Sequence, residues 1–129
     1  MSRTTVKTSH SEEQAISQLE SIREMVASLH DSETGDDARE QIEQDPLSVE
    51  IRTDWHEIGS DPKDADKEYC ILLCTGGPAV RIVGDLDHNE PSTARLEHQD
   101  WGTPWTEYRL SEEDEEMVLE YCRCFYFGE

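Results

Sequence analysis

Apolar residues recur at spacings of three and four across residues 12–30, at Ala15, Ile16, Leu19, Ile22, Val26 and Leu29. That period gives one apolar stripe on an α-helix. Ser11 stands where an N-cap would, and Glu12, Glu13, Glu20, Arg23 and Glu24 fill the other faces. A loop over 31–36 and a short helix over about 36–44 follow, ended by Pro46, which disfavours helical backbone in the residue before it.

The period then changes to two. Leu47, Val49 and Ile51 alternate with Ser48, Glu50 and Arg52, the pattern of a half-buried strand. A long polar loop occupies 54–67. Tyr69 to Thr75 (YCILLCT) is a continuous apolar run, as expected of a central strand. Gly76-Gly77-Pro78 makes a turn, and Ala79 to Leu86 (AVRIVGDL) reads as the next strand. The turn DHNEP (87–91) leads to a third strand of this series, 92–99, with Ala94, Leu96 and His98 on one face. Short Gly/Pro/Asn turns between successive strands imply an antiparallel meander.

DWGTPWT (100–106) is an aromatic loop. Ser111 caps a last helix that opens on Glu112, Glu113, Asp114, Glu115 and Glu116, with Asp114 at the capping-box position. Acids there also suit the positive end of the helix dipole. Met117, Val118, Tyr121, Cys122 and Phe125 form its apolar face, and the aromatics 125–127 are expected against the sheet. The predicted fold is α+β: a disordered start over 1–10, then one domain over 11–129. In it an antiparallel sheet of about four strands is covered on one face by an N-terminal helix (12–30) and a C-terminal helix (111–125).

Composition changes this picture in one respect. Thirty-one Asp and Glu face eleven Lys and Arg, a net charge of -20 on 129 residues. A small domain usually carries a net charge of about 2–8 in magnitude. Residues 31–68 hold 14 acids and 4 bases, and residues 107–129 hold 8 acids and 2 bases. Such a field selects partners. It argues against direct nucleic-acid binding and against an anionic membrane, and for a basic protein surface, above all a groove that holds DNA or RNA. A solvated face that only keeps the chain soluble is the bland alternative. No run reaches the ~18 apolar residues of a membrane span, and residues 1–10 have no apolar stretch of a secretory signal. The expected location is the cytoplasm of the host cell.

Candidate chemistry is sparse. Cys70, Cys74, Cys122 and Cys124 do not match zinc-ribbon spacing. On strands each pair would share a face, and reduced core thiols are the expectation. The five His are scattered. CTGGP (74–78) lacks the Lys-Ser/Thr of a phosphate-binding loop. Asp36/Asp37/Glu40 and Asp61/Asp64/Asp66 have the ligand type for a hard cation, but not the offsets of a twelve-residue calcium loop. Trp101 and Trp105 are either a cap over an open sheet face or an exposed anchor, since Trp is enriched at interface hot spots. No cofactor or metal is called for.

CTGGPAVRIVGDLD (74–87), ARLEHQDWGTPWTEY (94–108) and YCRCFYFGE (121–129) resemble a family of small acidic proteins encoded by phages and plasmids. The resemblance transfers no functional residue. It implies a mobile-element context, in which DNA-mimic anti-restriction and anti-CRISPR inhibitors occur, a likeness of class and charge. The resulting expectation is a non-enzymatic inhibitor that blocks a basic nucleic-acid-binding complex of the host. Its candidate contacts are Asp36, Asp37, Glu40, Glu43, Asp61, Asp64, Asp66, Trp101, Trp105, Glu112, Glu113, Asp114, Glu115 and Glu116. A homodimer is compatible with the sequence. The alternatives are a small cytoplasmic enzyme or ligand-binding protein with a pocket under the WGTPW loop, and an assembly module whose acidity only solubilises it.

Overall fold

The computed structural model describes residues 10–31, 33–53, 58–59, 67–75, 77–125 and 127. Helices α1 (His10–Leu29), α2 (Gly35–Gln44) and α3 (Glu112–Cys122) accompany six strands. These are β1 (Ser48–Thr53), β2 (Lys67–Cys74), β3 (Ala79–Asp87), β4 (Glu90–Pro91), β5 (Arg95–Gln99) and β6 (Thr106–Tyr108). The fold is α+β, with helices at both ends as expected. Every strand pair is antiparallel, in the order β1-β2-β3-β5-β6, with β4 also on β3.

Alternation decides which face is buried. Val49, Ile71, Ile82, Leu96 and Tyr108 lie in one cross-strand row. Ile71, Ile82 and Leu96 are fully buried, each worth about 1.5–3 kcal/mol relative to exposure. α1 packs across β3 and β5, and α2 and α3 each pack against α1. Arg23 meets Asp114, and His30, just past the end of α1, hydrogen-bonds to Glu120, so α1 and α3 run parallel. The other face of the sheet carries Arg52, Glu68, Cys70, Arg81, Val83, Arg95 and Glu97, and no helix covers it among the described residues.

Six strands replace the expected four for local reasons. The turn at 87–91 is tighter than its sequence suggests. His88 (φ 53) and Asn89 (φ 65) form a two-residue hairpin with both residues left-handed, so β4 begins at Glu90. Beyond it Leu86↔Pro91 gives way to Val83↔Arg95, a shift of one residue, so a bulge separates β4 from β5. β6 is a three-residue edge strand, too short to show a period.

A second bulge corrects the cysteine geometry. Leu72 pairs with Arg81 but Cys74 pairs with Val80. Leu73 and Cys74 therefore both belong to the helix side, where Gln14 and Gln18 reach the Cys74 thiol, while Cys70 lines the open face. The pair does not share a face, and all four cysteines are free thiols.

Three helix expectations also change. α1 starts at His10, inside the segment expected to be disordered; residues 1–9 lie outside those described. Its buried stripe contains Met25, while Ile16 is 38% exposed. α3 ends at Cys122, short of Phe125. Phe127 does pack on the sheet, its ring 5.4 Å from that of Tyr69.

Candidate functional site

The helices hold most of the described charge. α1, α2 and α3 together carry fourteen acids and two arginines, whereas the six strands carry seven acids and four bases. An acidic helical layer thus backs a nearly balanced sheet.

The candidate carboxylates divide by partner. On α2, Asp36, Asp37, Glu40 and Glu43 are all exposed, and Glu43 Oε1 lies 3.5 Å from Arg39 Nε as an ion pair. On α3, Ser111 Oγ caps the helix, accepting from the Asp114 N–H at 3.1 Å, as the sequence indicates. The acids of that first turn then diverge. Glu112, Glu113 and Glu116 are exposed. Asp114 Oδ1 accepts from Arg23 Nη2 at 3.0 Å, and Glu115 Oε2 accepts the Ala94 N–H at 3.3 Å. Arg23 also donates to Glu20 Oε1 at 2.6 Å. Its guanidinium pKa is raised, first by the hydrogen bond to Asp114 and then by that to Glu20. One cation therefore bridges acids of two helices and holds their spacing. Asp61, Asp64 and Asp66 lie outside the described residues. Among the described residues no three His, Cys, Asp or Glu side chains converge as a metal site requires, and no helix is long and apolar enough to cross a membrane.

The two tryptophans have different roles. The Arg81 guanidinium lies 4.0 Å from the centre of the Trp105 ring, so Trp105 caps part of the open sheet face. Trp101 is 86% exposed. An open depression of about 370 Å³ lies beside this loop, lined in part by Gln99, Asp100 and Trp101. Asp100 is the ionisable side chain of that lining, and both its carboxylate oxygens hold Ser11.

Ser11 is the residue whose role departs furthest from the sequence reading. It lies inside α1 and is 2% exposed. Asp100 caps it from 89 residues away, accepting from the Ser11 N–H at 3.0 Å and from Ser11 Oγ at 2.9 Å. His98 Nδ1 is 2.8 Å from the same hydroxyl. Asp100 takes the hydroxyl proton, so His98 must donate from Nδ1 to Ser11 Oγ. The three residue types are those of a hydrolytic triad, but the order is not. The triad needs His between Ser and Asp, with Ser open to substrate. Here Ser lies in the middle and is buried, so the network fastens α1 to β5. Alternation places His98 on the face of Ala94 and Leu96, and all three are buried; nothing in the sequence points from Ser11 to Asp100.

Comparison with known proteins finds no matching family model, no matching curated protein and no matching solved structure.

Proposed function

We propose that the protein is a non-enzymatic inhibitor whose helical carboxylates take the place of phosphates on a basic nucleic-acid-binding surface of a host complex. The observation that carries this reading is the partition of charge: fourteen acids against two arginines on the helices, beside near balance on the sheet. A charge that served solubility alone has no reason to favour one layer. Rigidity supports it too. Glu112, Glu113 and Glu116 sit on one capped helix within a rise of about 6 Å. Duplex DNA presents about one charge per 1.7 Å, so a similar length holds three to four phosphates. Exposed Asp36, Asp37 and Glu40 extend the field on α2, and Trp101 offers an aromatic anchor at another point of the surface. A restriction or CRISPR complex is the class of partner proposed, since each holds nucleic acid in a basic groove.

The test is affinity capture from host lysate on the immobilised protein, followed by elution with duplex DNA. A DNA-binding complex should be retained by the wild type, be released by DNA, and be absent from the E112K/E113K/E116K variant. Retention of the same proteins by the charge-reversed variant, or no release by DNA, would contradict the proposal. The protein alone should not shift duplex DNA or RNA on a gel.

A further inference from the structure

The helix-free face of the sheet mixes the two signs of charge. In a chain with eleven bases, three arginines, Arg52, Arg81 and Arg95, line one cavity of about 280 Å³ there. Cross-strand register builds it. One row runs Arg52–Glu68–Asp85, another Leu72–Arg81–Glu97, and the row between them runs Glu50, Cys70, Val83, Arg95. The outer rows are ion-paired: Arg52 Nη2 lies 2.9 Å from Glu68 Oε1, and Arg81 Nε lies 2.8 Å from Glu97 Oε1. The middle row gives an apolar floor of Cys70 and Val83.

Arg95 is the residue left over. Its one acid in register, Glu50, stands three strands away, roughly 14 Å at the usual strand spacing. Glu97, two residues on, is held by Arg81, and Trp105 stacks on that same guanidinium. Among the described residues no carboxylate pairs with Arg95. The lining itself has three arginines against two glutamates, with Glu50 and Asp85 on the same face beyond it. A guanidinium fork is shaped for two adjacent oxygens of a carboxylate or phosphate. The strongly acidic helices lie behind the sheet, and their field is screened over about 8 Å at physiological salt.

We propose that this cavity is a binding site for a compact oxyanion, a phosphoryl or carboxylate group on a small body, with Arg95 as the bidentate donor. The ion pairs on either side wall it, and Cys70 and Val83 meet the apolar part of the ligand. The volume lies just below the ~300–1,000 Å³ of drug-sized pockets, so the ligand is small.

The experiment is an NMR titration of the full chain, following the arginine Nε–H resonances, at constant ionic strength. Inorganic phosphate and benzoate are the probes, and benzyl alcohol is the neutral control. At least one anion should saturate the Arg95 signal with a Kd of about 1 mM or tighter. Preference for phosphate marks a phosphoryl ligand, and preference for benzoate a carboxylate on an apolar body. Arg95→Gln should weaken binding at least about tenfold while the remaining amide spectrum is retained. Arg39→Gln, which changes net charge equally on α2, should leave the Kd within about twofold. No saturation by about 10 mM, equal binding of benzyl alcohol, or equal losses in the two variants would overturn the proposal.

Discussion

Cys122 lies fully buried at the end of α3, and burial pushes its pKa up to about 12. Burial also raises Tyr69 and Tyr121, the latter further through its hydrogen bond to Asp45. A raised pKa means that the folded state holds the proton longer than the unfolded chain. The stability from Cys122 is therefore complete below the ordinary value of 9.0 and is lost as pH rises toward about 12. The melting temperature should fall progressively above about pH 9, and Cys122→Ser should flatten that fall. A flat profile between pH 9 and 12 would contradict this placement. Thiolate is the reactive form, so Cys122 should be the last of the four thiols to react natively. Ser11→Ala is the second residue-scale test. Losing the hydroxyl between His98 and Asp100 should cost about 1–3 kcal/mol by urea denaturation; a change of a few tenths would sink the fastening role. Apolar neighbours mark Cys122 and Cys124 as core in the sequence. They cannot do so for Ser11, whose partners are 87 and 89 residues away.

The bulge between β4 and β5 has a single-residue requirement. A Cβ on Gly84 would meet Thr93 O at 2.0 Å, and the Tyr69 ring edge lies 2.9 Å from the same point. Tyr69 pairs with Gly84 across the sheet and donates its hydroxyl to Thr93 O at 2.6 Å. Glycine thus lets a buried tyrosine cross the strand and fasten the bulge. Gly84→Ala should destabilise by at least about 1–3 kcal/mol, the usual cost of overpacking, measured by thermal or urea unfolding. Near-neutral stability would mean that the bulge relaxes freely. At this scale alternation reveals β1 and β5, and an apolar run between turns reveals β2. Neither reveals the two bulges, since one inserted residue breaks the period locally. Period also misjudges α1, where Ile16 and Met25 lie near opposite limits of the stripe and packing chooses Met25.

For the whole molecule, a net charge of -20 on 129 residues opposes compaction. Surface pairs such as Arg39–Glu43 offset little of it, about 0–1 kcal/mol each. Added salt screens the repulsion, so the melting temperature should rise from about 0.01 M to 0.15 M NaCl as the Debye length falls from about 30 to 8 Å. A fall over that range would show that paired charges outweigh the repulsion. The total charge and its segments are plain in the sequence. Its geometry is not, because the parallel run of α1 and α3 and the Arg23 bridge depend on residues 90 or more positions apart.

The most direct measurement is the affinity for the captured partner as a function of salt, wild type beside E112K/E113K/E116K, both shown to be folded. If these carboxylates stand in for phosphates, log affinity should fall linearly with log salt. The charge-reversed protein should bind more weakly, and its slope should be shallower by about one for each carboxylate that no longer meets a partner cation. The same affinity and the same slope in both proteins would contradict docking through the acidic start of α3.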